Sequence, residues 1–344
     1  MPSTVLVVMS AQPRCTEWQG LIGGQGYEVV AAQSAETALA IAPSVQPDLI
    51  LLSDFLPDAP GVEVCRRLKA EPRCRLIPIV MLSSCPENLN STWAIGAGAD
   101  DFFEYDPGQR ESIRRIDTLL RLKNYLDQQA EAALYSLSQS VEAKVTHGKG
   151  HSARVASHAV RLGRSLSLAE TDLEALRVAG LLHDIGKVSI PEAILQKPGV
   201  LSPEEVRVIR QHPIIGEQIC APIKSLRRVL PAIRHHHERL DGSGYPGGLR
   251  GKSIPLAARI LQVVDIYDAL TSDRPYRLGL PQATALMVLF DEVERGRLDQ
   301  GLVTQFSSLM IGGKHSFPVD QQTAGNPFAF DKPKPSDWSD RKFA

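Results

Sequence analysis

Two pairs of adjacent ionisable residues most constrain how this chain can fold. They are His183-Asp184, which ends an apolar stretch, and His236-His237, which precedes a Gly-Tyr-Pro turn at 244–246. Burying such pairs in an apolar fold costs free energy unless something satisfies their nitrogen and oxygen atoms. Iron, manganese and zinc accept imidazole and carboxylate ligands. The two pairs therefore predict a metal centre that activates water, with an aromatic ring beside it.

Longer motifs surround both pairs and carry a family resemblance. The segment 181–187, Leu-Leu-His-Asp-Ile-Gly-Lys, is similar to the signature of the HD phosphohydrolase superfamily. The segments 236–246, 254–260 and 265–277 together resemble its HD-GYP branch, which hydrolyses the bacterial second messenger cyclic di-GMP. A single His-Asp pair is weak evidence, whereas several motifs in the expected order are specific.

The resemblance implies a set of metal ligands. Carried onto matching positions, the family's ligands are His151, His183, Asp184, His212, His236, His237 and Asp265. Asp184 is the expected bridging carboxylate, since one carboxylate can give an oxygen to each of two metals. Two divalent ions are expected, iron or manganese, and the ligand types do not choose between them.

His147 departs from the family pattern. Some family members carry a Glu at this position, four residues before the match to His151, and that Glu helps to hold a third metal. A neutral imidazole can ligate but cannot bridge metals, and Gly148 and Gly150 disfavour a helix here. Two metals are therefore expected, with His147 as a candidate extra ligand for a third.

The resemblance also implies a substrate pocket. Lys187 is expected beside the scissile phosphate, and Tyr245 beside a guanine or the phosphates. Arg274 and Arg277 are expected to bind phosphate or a guanine edge.

Three further residues are expected to lie close to the metal ligands without binding metal themselves. Glu238 is expected to hydrogen-bond a ligating imidazole, and Asp268 to do the same or to serve as a structural partner. His235 is expected to face away from the ligands, because consecutive helical residues point about 100° apart.

The resemblance implies a phosphodiesterase that opens cyclic di-GMP to pGpG and cleaves on to GMP if a second step occurs. Two alternatives stay open. One is an HD hydrolase that acts on another cyclic dinucleotide, and the other is a non-enzymatic cyclic di-GMP sensor that docks on proteins. The ligand set argues against a sensor, which has no evident need for it.

The first part of the chain has the pattern of a doubly wound α/β domain. Short apolar runs at 5–8, 49–52 and 77–82 alternate with segments of helical spacing, as expected of strands buried on both faces of a parallel sheet. The motifs at 47–52, 61–69 and 98–101 are similar to those of a response-regulator receiver domain. An all-α HD-type domain is expected to follow it.

The receiver resemblance implies a phosphorylation site that this sequence has lost. Met9 and Ser10 stand where the Mg²⁺-binding acids belong, and Ser53 takes the acceptor slot. Tyr105 replaces the expected Lys, and only Ser83 fits, in the hydroxyl position. Asp54 follows the slot by one residue, which is expected to turn its side chain to the other face. No phosphoacceptor is therefore expected, and the receiver is interpreted as a dimerisation or docking module.

A long polar-apolar stretch links the two regions. Its apolar seam is Ile116, Leu119, Leu126, Ala130, Ala133 and Leu137. The seam is typical either of one helix packed on its own domain or of a coiled coil that joins two protomers. The expected boundaries are a receiver over 1–108, a helical linker over 109–142, an HD-GYP domain over 143–311 and a flexible tail over 312–344.

The composition limits the classes of partner that the protein is expected to bind and the cellular compartment in which it is expected. A formal net charge of −1 over 344 residues gives no basic field for polymeric nucleic acid. Five scattered cysteines without a Cys-x-x-Cys pair are typical of reduced thiols. No apolar run reaches membrane-spanning length, and the start lacks a basic segment that leads into an apolar one. A cytoplasmic protein is expected, with cyclic di-GMP, a second protomer and a receiver-binding protein as its partners.

Overall fold

The computed structural model describes residues 3–10, 14–83, 91–104, 110–144, 150–273 and 278–312. The chain forms two compact units. One comprises residues 1–132 with 221–225, and the other comprises residues 133–220 with the chain from 226 onward. None of the helices in the described ranges is both long and apolar enough to cross a membrane.

The first unit is built on a parallel sheet of five strands in the order β2-β1-β3-β4-β5. The strands are β1 Thr4–Val8, β2 Glu28–Ala32, β3 Leu49–Ser53, β4 Ile79–Ser83 and β5 Asp101–Glu104. Successive strands are joined through helices on both faces. The prediction of a doubly wound α/β receiver fold is therefore confirmed.

Five helices accompany the sheet: α1 Arg14–Gly24, α2 Ala35–Val45, α3 Gly61–Ala70, α4 Ser91–Gly96 and α5 Arg110–Lys144. Alternate residues of a strand point to opposite faces. Val5 and Val7 therefore belong to the core cluster of Trp18 from α1, whereas Leu6 and Val8 belong to the cluster of Leu68 from α3. Two buried layers result, one on each side of the sheet.

The second unit is helical, as predicted for an HD-type domain. After α5 its helices are α6 His151–Ser165, α7 Glu170–Leu182, α8 Glu192–Leu195, α9 Pro203–Ile209, α10 His212–Cys220, α11 Leu230–His235, α12 Leu256–Thr271, α13 Gln282–Glu294 and α14 Gln300–Gly312. A 3₁₀ turn at Ile185–Ser189 follows α7, and further 3₁₀ turns lie at Lys224–Val229 and Gly251–Ser253. The predicted tail from 313 onward lies outside the described residues, and the predicted domain boundaries stay predictions.

The residues of the predicted apolar seam on α5 differ in burial. Ile116 is completely buried, and together with Leu120 it belongs to the sheet's core cluster. Leu126 is instead 53% exposed, as are Leu122 and Tyr125 to a similar degree. For Ile116 the observed alternative is therefore packing on the helix's own domain, which the heptad spacing alone could not distinguish from contact with a second helix.

We expect Ile116→Ala to lower the free energy of unfolding of the α/β unit by about 2–5 kcal/mol, because it leaves a cavity in a close-packed core. Leu122→Ala on the same helix is the matched control and should change it by less than about 0.5 kcal/mol. Urea unfolding followed by circular dichroism measures both. Equal stability of the two variants would place Ile116 outside the core.

Candidate metal centre

The helical unit brings all seven predicted ligands together in two groups. Asp184, His212, His236 and His237 form one group; His151, His183 and Asp265 form the other. Within each group the candidate ligand atoms lie within 4.8 Å of one another. The arrangement can hold two cations side by side.

Most of these ligands lie at helix ends. His151 and His212 are the first residues of α6 and α10, and His183 directly follows the last residue of α7. His236 and His237 directly follow α11, and Asp265 lies inside α12. The apolar stretch that His183 and Asp184 end is α7.

Two glycines allow the helices to approach closely enough. A Cβ on Gly180 of α7 would lie 2.6 Å from Ala156 Cα, so α6 and α7 pack backbone against backbone. A Cβ on Gly186 would lie 1.9 Å from the carbonyl oxygen of His212. Any side chain at Gly186 would therefore push α10 away from Asp184.

Three imidazoles are oriented by their own local backbone. In each, Nδ1 donates to the carbonyl three residues earlier: His183 to Gly180 at 2.8 Å, His212 to Ile209 at 2.8 Å and His236 to Ile233 at 2.7 Å. Such a bond fixes the tautomer and leaves the Nε2 lone pair free for a metal.

These lone pairs face one another in a buried space. The Nε2 atoms of His212 and His236 lie 3.3 Å apart, and neither carries a proton in the tautomer just described. Among the described residues, His183 Nε2 and Asp184 Oδ1 are buried without a hydrogen-bond partner. Mutually repelling lone pairs beside an unpartnered carboxylate oxygen are what a divalent cation satisfies, so the donor set fits a metal.

The electrostatic environment favours the ligating protonation states of five candidates. Burial lowers the pKa of His212, His236 and His237, in the last case to about 3. Burial raises the pKa of Asp184, but Lys187 and nearby histidines outweigh it and hold that pKa below the usual range. Burial likewise raises the pKa of Asp265, but its hydrogen bond with His151 and the neighbouring histidines hold it below the usual range. At neutral pH these imidazoles are neutral and the carboxylates charged, as metal binding requires.

Asp184 faces both groups. Its Oδ1 lies 3.3 Å from His212 Nε2, and its Oδ2 lies 3.4 Å from His183 Nε2. Lys187 donates from Nζ to the same Oδ2 at 2.7 Å. One carboxylate thus presents a separate oxygen to each group.

Asp268 contacts the imidazole of His151, one of the candidate ligands. Its Oδ2 lies 2.7 Å from His151 Nδ1, while Arg154 donates from Nε to its Oδ1 at 2.6 Å. Burial alone lowers the pKa of His151, but hydrogen bonds with Asp265 and Asp268 raise it to about 10. Of the two expectations for Asp268, the contact with a ligating imidazole is the one observed.

Glu238 differs from its prediction. Its completely buried carboxylate accepts from the backbone N–H of Gly247 at 2.6 Å and of Leu249 at 3.0 Å. Its imidazole contact, at 3.3 Å, is with His235, which belongs to neither ligand group. Since Glu238 comes one residue after the ligating pair, its side chain points elsewhere and holds the loop that carries Tyr245.

A pocket opens onto both groups beside that loop. The Tyr245 ring stacks on the imidazole of His237, with centroids 4.8 Å apart at 28°. The guanidinium of Arg210 lies 5.1 Å from the Tyr245 centroid, and Arg239 and Lys187 also line the pocket. We had not predicted Arg210 or Arg239, although Arg239 directly follows the His-His-Glu motif and its position was the available signal.

Three predicted site residues, His147, Arg274 and Arg277, lie outside the described ranges. Tyr105 of the receiver also does.

The acceptor region of the α/β unit departs from prediction at Asp54. Its Oδ2 accepts from the hydroxyl of Ser83 at 2.6 Å, so the carboxylate does not turn away from that position. The reason is that β3 ends at Ser53, so Asp54 lies beyond the regular strand alternation. Ser53 itself donates to the carbonyl of Phe55 at 2.9 Å, and Met9 is buried.

Both units match known families. Residues 5–116 match the response regulator receiver domain and residues 136–302 match the HD domain. A cyclic di-GMP phosphodiesterase response regulator of Xanthomonas campestris is 33% identical over 274 residues, which cover 73% of this chain and 72% of that protein. A cyclic di-GMP phosphodiesterase of Thermotoga maritima is 31% identical over 302 residues, covering 78% and 79% respectively.

One further relative is named for a different cyclic dinucleotide. A 3'3'-cGAMP-specific phosphodiesterase of Vibrio cholerae is 42% identical over 166 residues, which cover 47% of this chain and 35% of that protein.

We expect Gly186→Ala to lower the free energy of unfolding by about 3 kcal/mol and to reduce bound metal, since its Cβ overlaps the His212 carbonyl. Gly301→Ala in α14 is the matched control, because the nearest atom to its Cβ is Asp299 Oδ1 at 3.4 Å. Thermal unfolding and metal analysis after dialysis measure both effects. Full metal content in Gly186→Ala would show that α10 can shift without harm.

Proposed function

This chain belongs to the HD-GYP family of cyclic di-GMP phosphodiesterases that carry a receiver domain, and we propose that it opens cyclic di-GMP to pGpG by metal-dependent hydrolysis. The observation that carries this proposal is the position of Asp184 between two ligand groups, beside a pocket that holds Tyr245 and three basic side chains. Cleavage of pGpG to GMP is a second step that the same site can perform.

Divalent metal binding follows from the HD domain, and we propose two ions, iron or manganese. His151, His183 and Asp265 would hold one ion, and His212, His236 and His237 the other, with an oxygen of Asp184 for each. When bound, the ions supply an activated water and offset the negative charge of the phosphate. His147 remains our candidate ligand for a third ion.

The chain's own residues supply the remaining charge. Lys187 places its ammonium at the edge of the ligand groups, where it would stabilise charge that develops on the phosphate oxygens. Arg210 and Arg239 line the same pocket and would bind an anionic substrate through planar guanidinium groups. Arg274 and Arg277 keep their predicted phosphate-binding role.

Tyr245 would receive a guanine base. Its ring is fixed on one face by His237 and approached by the Arg210 guanidinium. Its hydroxyl is buried without a hydrogen-bond partner among the described residues, so that oxygen is free for a ligand atom. A buried, unpartnered hydroxyl beside a guanidinium suits a guanine edge or a phosphate oxygen that forms hydrogen bonds.

A second cyclic dinucleotide is the alternative substrate. The Vibrio cholerae relative named for 3'3'-cGAMP is 42% identical over 166 residues, which supports this alternative. The two substrates share the phosphodiester chemistry and differ in one base. Discrimination would therefore depend on pocket contacts with that base.

For the receiver we propose a dimerisation or docking role. The apolar side chains of Leu122, Tyr125 and Leu126 lie one helical turn apart on α5 and are more than half exposed. They would fit against the same helix of a second protomer or against a partner protein.

We expect no stable phosphoryl adduct when the protein is incubated with acetyl phosphate and Mg²⁺, because Met9 and Ser10 cannot bind the cation. Intact-mass spectrometry detects the adduct, and a receiver domain with its acidic pair intact is the positive control. An adduct at Asp54, which already contacts Ser83, would refute the docking-only role.

We expect anaerobically purified protein loaded with iron or manganese to convert cyclic di-GMP to pGpG, and Asp184→Ala to lose this activity together with bound metal. Liquid chromatography of the products, with 3'3'-cGAMP assayed in parallel, measures activity and preference. Faster turnover of 3'3'-cGAMP would favour the alternative substrate. Tight binding without turnover under every metal tried would favour the sensor.

Lys187→Met separates loss of charge from loss of metal in the same assay. Its metal content should stay at the wild-type level while kcat falls about 10²- to 10³-fold, as for removal of a group that stabilises transition-state charge. An unchanged kcat would remove Lys187 from the proposed machinery.

A further inference from the structure

The last turns of α5 contact the backbone beside the metal centre. Glu142 accepts from the backbone N–H of His151 at 2.6 Å through Oε1, and from that of Ser152 at 3.1 Å through Oε2. These two N–H groups are the first of α6, and no earlier turn of helix can accept from them. A carboxylate from another helix therefore caps the helix that begins with a ligand.

The cap is needed because the local sequence lacks one. The residue before His151 is Gly150, which has φ +84° and no side chain to accept from the helix. An Asp, Asn, Ser or Thr usually fills that position. Glu142 takes over this function from nine residues earlier in the chain, and its negative charge also complements the positive end of the α6 dipole.

A second contact lies on the same face of α5. Ser138 is one helical turn before Glu142, is buried, and donates from Oγ to the carbonyl of Leu181 at 2.8 Å. Leu181 lies two residues before His183. Ser138 and Glu142 thus contact the backbones that carry His151 and His183, two members of the same ligand group.

The imidazoles alone do not determine this spacing. The ring of His151 is bound by Asp265 and Asp268 of α12, and that of His183 by Gly180 of its own helix. Those bonds orient the rings, and α6 packs on α7 further along, where Gly180 lies against Ala156. The hydrogen bonds from Glu142 and Ser138 of α5 connect the ligand-bearing ends of the two helices directly.

We propose that Glu142, assisted by Ser138, is a positioning residue that sets the separation of His151 and His183 and thereby the affinity of their group for its metal ion. The inference rests on the metal centre of the proposed function. It assigns to the end of α5 control over one of the two ions, while the group of His212, His236 and His237 lies beyond its contacts.

The test is an anaerobic Mn²⁺ titration of chelator-treated protein, followed by electron paramagnetic resonance and by metal analysis. Wild type should bind two ions. Glu142→Ala should weaken one ion about 10- to 100-fold, the range for loss of an outer partner of a ligating histidine, and leave the other unchanged. His151→Ala identifies that ion, since it should weaken the same one.

Two further variants separate positioning from general stability. Glu142→Gln should weaken the ion less than Glu142→Ala, because its amide oxygen still accepts one of the two N–H groups. Glu204→Ala is the matched control, because it removes an exposed glutamate of the same unit that pairs with Arg207, and it should bind both ions as wild type does.

Three results would overturn the inference. They are wild-type affinity for both ions in Glu142→Ala, equal weakening of both ions together with a lower unfolding temperature, and fewer than two ions in the wild type. Because the readout is metal binding, selective weakening in a protein that cleaves no cyclic dinucleotide would support the inference and refute only the proposed function.

Discussion

Unprotonated imidazole nitrogens buried next to one another govern the architecture of the helical unit. His212 and His236 direct their Nε2 lone pairs at each other across 3.3 Å, and the carboxylate of Asp184 lies beside them. Such a cluster is costly to bury unless a cation joins it. The surrounding helices offset this free-energy cost by packing apolar side chains around the cluster. Their close contacts bring the members of the cluster together.

Glycines set how near those helices come. Without a side chain at Gly180 and Gly186, α7 and the turn after it approach α6 and α10 to backbone contact. Gly244 has the same role in the loop of Tyr245, where a Cβ would lie 2.3 Å from the backbone nitrogen of Arg239. The metal ligands and the aromatic ring therefore depend on positions that carry no chemistry of their own.

The sequence predicted the parts of the fold and site that are encoded in motifs or local periodicity. Strands β1, β3 and β4 followed from short apolar runs, and the seven candidate ligands that the structure brings together followed from the family resemblance of the His and Asp motifs. The direction in which a side chain points was harder to predict from the sequence. Glu238 was assigned to an imidazole but holds a loop, and Asp54 contacts Ser83 because β3 ends one residue before it.

Long-range partners were also inaccessible from sequence alone. Ile116 follows a heptad yet packs on the sheet, and Arg210 resembles surface charge until α9 places it over Tyr245. Each depends on which element lies opposite in space, and spacing along the chain does not contain that information.

The bonds from Nδ1 to the carbonyl three residues earlier have a consequence for how the site responds to disturbance. The rings of His183 and His236 are bonded to α7 and α11, which they directly follow, and the ring of His212 is bonded to the last residue of α9. A helix that slides therefore takes the imidazole bonded to it along without twisting it. A shift of one of these helices therefore translates a candidate ligand without rotating its imidazole ring. Because affinity depends on the separation of the ligands, substitutions in the neighbouring helices would change how tightly an ion is held without changing where the lone pairs point.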